Sequence, residues 1–276
     1  MLVLPWTLEN KLYTERFYRH GLGERFESIS IQEGQSDLSI AWPRGTLPST
    51  KLIGLQEYAK TQLIELRRDI EQYASQNPLF LDSLESLKDD ERAPSILRSM
   101  LQAGIAAKVG PMAAVAGAIA EALGRDIKAR FDFTELIVEN GGDLWIDVQE
   151  PITVAVYAGL SSLSKTFGII FDASLCPCGL ACSSGTVGPS LSYGKADAAI
   201  VIAKDAAAAD AWATALGNRI KQQSDLESAP LEILAMGANP KAPCGDLAPL
   251  AALLVLADRF AAAGKIRLAP LQSLPS

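Results

Sequence analysis

Asp210 and Thr214 stand four residues apart in the Ala-rich run AAAADAWATALG, residues 206–217. On a helix that spacing puts a carboxylate and a hydroxyl on one face, one turn apart, where both oxygens reach one hard cation or one phosphate-bearing ligand. Upstream, Ser183, Ser184 and Thr186 lie in CSSGTVG, residues 182–188. Their hydroxyls and a Gly-supported nest of amides suit phosphate oxygens, and a plain polar loop is the alternative. Asn140-Gly141-Gly142-Asp143 also admits two readings. Paired glycines take the positive φ of a hairpin turn, or they let the main chain approach a ligand while Asp143 accepts from its hydroxyls or supports a cation.

Other chemistries find little support. The one histidine, His20, falls at a strand end beside a turn, where an exposed or capping role is expected, and no Ser-His-Asp set can be assembled around it. Neither a Walker pattern nor GxGxxG follows a strand. Cys176, Cys178, Cys182 and Cys244 have the spacing of no common zinc or iron-sulfur signature, and Pro177 and Gly179 mark a turn. Buried or inert thiols are the main reading, with a redox or sulfur-handling thiol at Cys182 as the other.

The elements that must position these residues follow from periodicity. LYTERFY, RFESISIQ and SDLSIAWP, between residues 11 and 43, alternate apolar and polar positions and predict antiparallel strands, with turns at Gly21-Leu22-Gly23 and Glu33-Gly34-Gln35. Residues 50–75 predict a helix through Leu52, Leu55, Ala59, Leu63, Leu66 and Ile70, stopped before Pro78. Residues 77–92 read as a solvated connection, and Pro94 opens a helix to about Lys108. Residues 112–124, MAAVAGAIAEALG, predict a buried helix with Pro111 at its start and Gly124 as C-cap, its small residues admitting a neighbouring backbone or a flat ligand. Strands are expected at 135–148, 152–159, 167–172 and 198–203. Beyond the Asp210 helix we expect a short strand at 231–235, a last helix over 247–263 and an edge strand at 265–268. This order predicts an α+β fold, a mostly antiparallel sheet with helices on one side, in which strand pair, helix pair, strand pair occurs twice.

Composition bounds the partners. The 276 residues are 49% hydrophobic and 21% charged, the profile of a compact chain with a substantial core. A net charge of −7 argues against nucleic acid as a partner. The longest apolar runs fall short of the roughly 20 residues a bilayer crossing needs, and MLVLPWTLENK lacks the basic start of a secretory signal, so a cytoplasmic protein without membrane contact is expected.

Three motifs stand in order: VGPMAAVAGA at 109–118, ENGGD at 139–143, and GKADAAIVIA followed by ADAWATAL within 194–216. Together they resemble the ApbE superfamily, the FAD:protein FMN transferases. VENGGD and CSSGTVGPSLSYGKAD are closer to a cytoplasmic side branch, protein family 0280. The resemblance is strongest over about residues 100–217 and implies one ApbE-like domain over 1–276 with a duplicated, two-layer T-fold. It further implies Mg²⁺ on Asp210 and Thr214 with a backbone carbonyl near Lys108, and a flavin, FAD or FMN, or another nucleotide at Asn140, Gly141, Gly142, Asp143, Ser183, Ser184 and Thr186. A protein acceptor is implied for the transferred flavin. Where the parent family carries His-x-x-Asp-Pro-x-Thr-Gly, this chain has Pro189-Ser190-Leu191-Ser192-Tyr193-Gly194. A general base would then fall to Asp143, Asp197 or Tyr193. Members of the side branch are also associated with sulfur assimilation, which implies the alternative of a thiol-dependent accessory factor.

Overall fold

The computed structural model describes residues 25–184, 195–239 and 244–271. The expected strand LYTERFY at 12–18, the turn at Gly21-Leu22-Gly23 and His20 lie outside them. In chain order the strands are β1 (Phe26–Glu33), β2 (Ser36–Pro43), β3 (Leu136–Asn140), β4 (Asp143–Asp147), β5 (Ile152–Ala155), β6 (Phe167–Phe171), β7 (Cys178–Ser183), β8 (Ala198–Ala203), β9 (Pro249–Leu256), β10 (Arg259–Gly264) and β11 (Leu268–Pro270). The helices are α1 (Ser49–Gln76), the single turn α2 (Leu79–Asp82), α3 (Ser95–Ala107), α4 (Val115–Phe131), α5 (Ala206–Gly217) and α6 (Ser228–Gly237). Among the described residues no single helix is long and apolar enough to cross a membrane.

An eight-stranded antiparallel sheet runs β1-β2-β3-β4-β7-β8-β9-β10. Its halves repeat one plan. A hairpin (β1-β2, then β7-β8) leads through helices to a second hairpin (β3-β4, then β9-β10) that pairs beside the first. The alternating residues Ile29, Ile31, Leu38, Ile40 and Trp42 face the helices, as do Leu136, Val138 and Trp145.

The expected α+β class, a mostly antiparallel sheet with its helices on one side, holds, and four finer expectations are corrected. First, the arrangement is more than two-layered, because the sheet is covered on its other side as well. A three-stranded sheet, β11-β6-β5, lies over the face away from the helices, and Val156, Phe167, Ile169 and Phe171 pack there against Ile137, Ile146, Ile200, Ile202, Leu253 and Val255. The fold is therefore three-layered where this second sheet sits, and burial of both faces explains why AAIVIA in β8 is apolar without alternation. Second, residues 247–263 form no helix but the hairpin β9-β10; a run apolar at nearly every position carries no period to separate the two states. Third, residues 231–235 belong to helix α6, built from the helix formers Leu231, Glu232, Leu234, Ala235 and Met236. Fourth, Gly124 is no C-cap. Helix α4 continues to Phe131 and ends on Asp132 at φ 56°, while Gly124 lies against Trp145, whose ring a Cβ there would meet at 2.3 Å.

The small residues of α4 bring it against α5. A Cβ at Gly117 would stand 2.1 Å from the carbonyl oxygen of Ala206 at the start of α5. At this approach each helix supplies a carboxylate to the other's N-terminus. Asp210 of α5 accepts from the amides of Ala116 (3.1 Å) and Gly117 (3.0 Å), although α4 has no side-chain cap of its own. Glu121 of α4, itself paired with Arg125, accepts from the amide of Ala206 at 2.5 Å, while the N-cap Asp205 accepts from Ala208 at 2.7 Å. Each pairing satisfies orphan donors and complements a helix dipole.

Two predictions follow from this contact. In an open helix Gly→Ala gains up to about 1 kcal/mol, but at residue 117 the clash with backbone dominates. Gly117→Ala should therefore destabilise by about 1–3 kcal/mol in urea unfolding, and a variant as stable as the parent would remove the close approach as a constraint. Asp205 tests the charge at the other cap. Burial, and after it the charge of Glu121, pushes its carboxyl up to about 6, against the pull of the Ala208 amide. The folded state thus favours the protonated form, so this contribution is present below the ordinary value of 3.8 and is lost as pH rises through about 6. Asp205→Asn keeps a capping oxygen without the charge. It should raise stability above pH 7 by roughly 1 kcal/mol and flatten the stability profile across that window, read from unfolding midpoints against pH.

Candidate functional site

The ends of β3, β4 and β7, strands in the middle of the sheet, meet at one end of it, beside the first turn of α4. Alternation puts Asn140 on the helix-facing side with Leu136 and Val138, Asp143 there with Trp145, and Ser183 there with Ala181. Asn140 and Asp143 pair across a hairpin whose turn residues Gly141 and Gly142 have φ of 72° and 106°. The amide of Gly142 donates to Glu139 Oε1 at 2.7 Å. The turn reading of Asn140-Gly141-Gly142-Asp143 is therefore correct, and its polar side chains act beyond the turn. Past the last ladder pair, Leu144 with Leu180, the carboxylate of Asp143 takes the place of a strand partner and accepts from the amide of Cys182 at 3.1 Å.

Asn140 Nδ2 donates to the carbonyl of Ala116 at 3.2 Å, and the amide of the same residue donates to Asp210. One residue thereby joins the start of α4, the ENGGD turn and the Asp210 helix, so the three sequence motifs converge. The residue Asp210 is partly exposed but its carboxyl is enclosed; burial pushes it up to about 7, although the Gly117 and Ala116 amides pull it down. Thr214 lies one turn further along α5 and is partly exposed. It does not make the bond to the i−4 carbonyl that Thr61 makes to Glu57 at 2.9 Å. Lys108 ends α3 at φ 60°, and the chain returns through Gly110, whose amide donates to Leu84, into a 3₁₀ turn at Pro111–Ala114 that packs on α5.

Ser183 and Ser184, both buried, close β7 at this same end. Thr186, Tyr193 and the whole stretch from Pro189 to Gly194 lie outside the described residues. Asp197 accepts from Ala257 at 2.7 Å and holds the β9-β10 turn. Among the described residues no three His, Cys, Asp or Glu side chains gather as a metal cluster, so the cysteines form no such centre. Burial, with the charge of Asp143, pushes the Cys182 thiol up to about 12, which leaves it a poor nucleophile at neutral pH. It is the amide of Cys182, not its sulfur, that serves the site. The sequence reading missed this amide, those of Ala116 and Gly117, and the Glu121 cap. Backbone donors leave no residue-type signal, and Gly117 within VAGA was the one hint of a close backbone.

The comparisons with known proteins agree with this architecture. The family model described as AbpE bacteria matches residues 19–239. A UPF0280 protein of Methanosphaerula palustris is 42% identical over 165 residues, 60% of this chain and 69% of its own length. Another, from Methanococcus aeolicus, is 42% identical over 194 residues, 70% and 74% of the two chains. Among solved structures, the apo flavinyl transferase ApbE of Pseudomonas stutzeri superposes with a TM-score of 0.51 at 12% identity, covering 87% of this chain and 94% of its own. The ApbE protein of Thermotoga maritima gives 0.52 at 13%, covering 85% and 96%. At such identities the structures speak for the fold alone, while the family model and the UPF0280 relatives carry the assignment. With its duplicated antiparallel sheet and its three motifs joined at Ala116, the chain belongs to the ApbE-like superfamily, in the UPF0280 branch.

Proposed function

We propose that the chain binds a flavin nucleotide together with Mg²⁺ at the end of the sheet where α4, α5 and the Asn140–Asp143 turn meet, and that it acts on the phosphate linkage of that nucleotide as a transferase-like enzyme. One observation carries this reading: Asn140 and Asp210 both bond to Ala116, so residues from motifs far apart in the chain face one place. Solved neighbours of the same fold include a flavinyl transferase, which supports a flavin as the ligand class.

The donors suit the ion. Asp210 Oδ2 serves two amides, so Oδ1 and the Thr214 hydroxyl would hold Mg²⁺, a cation that takes a few hard oxygens from protein and the rest from phosphate and water. When bound, Mg²⁺ supplies neutralisation of the charge on a pyrophosphate under attack. The chain's own residues do the rest. Gly141 and Gly142 would let the ligand approach the main chain, Asp143 holds the end of β7 through the Cys182 amide, and the Ser183 and Ser184 hydroxyls would donate to phosphate oxygens. With FAD, attack by the hydroxyl of a protein acceptor passes FMN to that oxygen and releases AMP; attack by water gives FMN and AMP.

Substitution separates capping from ligand binding. Asp210→Asn retains an oxygen for the Ala116 and Gly117 amides, and Thr214→Val keeps shape without the hydroxyl. Both should fold, and each should weaken Mg²⁺-dependent FAD binding at least tenfold, about 1.4 kcal/mol, in fluorescence titrations. A native protein indifferent to FAD with and without Mg²⁺, or variants that bind as tightly as the parent, would refute the assignment.

A further inference from the structure

The two outer strands of the main sheet, β1 and β10, present unlike edges. On β1 the carbonyls of Phe26 and Gln32 accept from Arg44 (3.3 Å) and from Lys60 of α1. Side chains thus cap that edge, a guard against pairing with another strand. Among the described residues nothing caps β10. The amide of Lys265 donates to Leu250 at 2.8 Å, which fixes the odd-numbered residues of β10 to β9 and turns the amides and carbonyls of Phe260 and Ala262 outward. The strand reads RFAAAG, and its one charge, Arg259, is paired with Glu227 of α6 at 3.0 Å.

Three exposed apolar side chains surround this open edge. Glu227 lies at Arg259 near one end of β10, and Leu234 Cδ1 is 3.1 Å from where a Cβ on Gly264 would stand at the other. Leu231, on the same face of α6 between them, therefore lies over the middle of the strand, and it is 63% exposed. Phe260 projects from the opposite face, its ring 5.1 Å from that of Phe167, and is 45% exposed. Leu160 is fully exposed on a loop whose Ser161 hydroxyl donates to the carbonyl of Ala257 in the β9-β10 turn. That loop is tied by its own bonds, among them Ala158 to the Ser164 hydroxyl at 3.0 Å and Lys165 to the Val156 carbonyl at 2.7 Å. An apolar strand without a partner, flanked by leucines on ordered elements, has the make-up of an interface.

We propose that β10 pairs antiparallel with β10 of a second copy of this chain, about a two-fold axis at Ala261. In that register Phe260 and Ala262 exchange backbone bonds across the axis, and the Phe260 ring lies opposite the small Ala262. Moving the axis to Ala262 would call on the Gly264 carbonyl, which already accepts from Ile266 at 3.0 Å, and would set Arg259 opposite Lys265 of the second copy. The register at Ala261 avoids both and brings that Lys265 towards Glu227, whose side chain is 80% exposed. Leu231 meets its own copy over the axis, and Leu160 falls near the half-buried Ile266 of the second copy. The surface is thus complementary to itself in charge, bonds and shape, as an isologous contact requires. The axis stands perpendicular to the sheet, so the helices of both copies share one face and the two Asn140–Asp143 turns point to opposite ends, clear of the contact.

Sedimentation velocity of the full chain over a concentration series tests this, and the native chain should run as a dimer. Ala262→Pro removes one outward amide on an edge strand, where proline is tolerated. Leu231→Glu sets a charge on the axis at an exposed site, so it serves if the proline variant fails to fold. Each should weaken dimerisation at least tenfold, with circular dichroism unchanged. Ala261→Cys reads the register: facing residues of a non-bonded pair stand about 4.5 Å apart, so its two copies should join in a disulfide on mild oxidation, and those of Ala263→Cys should not. A mass that grows past the dimer, variants that dimerise like the parent, or bridging by Ala263→Cys in place of Ala261→Cys would overturn the proposal. So would a native chain that is monomeric at every concentration, which would leave the edge to another protein.

Discussion

The contact between α4 and α5 is the constraint on which the rest of the structure turns. Two helices that meet through Gly117 and Ala206 have no room for side chains between them, so their ends must be satisfied from across the contact. Asp210 and Glu121 do this reciprocally, each placing a carboxylate on the amides that open the other helix. The bond to Glu121 is as short as charge-assisted bonds are, while those to Asp210, at 3.0 and 3.1 Å, are of ordinary length; together they fix direction as well as distance. Because Asn140 reaches the carbonyl of Ala116, the same contact fixes the helix pair over the end of the sheet. Gly179 continues the theme from below: a Cβ there would stand 2.3 Å from Cα of Ala206, so β7 and α5 also touch by backbone.

How far the sequence revealed this depends on where the information lies. Helices α1 and α3 were legible because Leu55, Ala59, Leu63 and Ile70, or Leu97, Leu101 and Gly104, mark a buried stripe at helical period against polar neighbours, and α5 because its run of alanines favours helix although it is buried on nearly every face. Strands β1 and β2 alternate and were equally clear. The failures share a cause. In PLAALLVLADRFAAAG nearly every residue is apolar, and the chain reverses at Ala257, with φ of 55°, which no turn propensity would suggest. The covering sheet was hidden for a related reason: β5 and β6 read as strands, but nothing local says on which face of the main sheet a strand pair will lie.

The site was legible by type and illegible by partner. Asp210, Thr214, Asn140 and Asp143 stand out as polar residues among alanines and glycines, and the motifs could be ordered along the chain. What joins them is backbone: the amides of Ala116, Gly117 and Cys182 and one carbonyl. Every residue but proline carries both groups, so no residue type announces them. The Asp210 to α4 bond in particular competes with the simplest reading of a metal-binding carboxylate, because the same side chain has a structural duty.

That duty bears on the ligand. An open helix N-terminus is an anion site that needs no cation, since its amides and dipole favour phosphate directly. The start of α4 is not open; Asp210 already occupies its amides and cancels its positive end. Glu139 and Asp143 add carboxylates at the neighbouring turn, in a chain whose net charge is −7. A nucleotide pyrophosphate brought to this end would meet negative potential and bonded amides, so its charge must be balanced by something the ligand brings with it. The proposed divalent cation, shared between the phosphates and the Asp210-Thr214 face, would meet that requirement. On that reading a helix cap and a metal ligand would be two uses of one carboxylate: Oδ2 fixes α4, and that fixing would orient Oδ1.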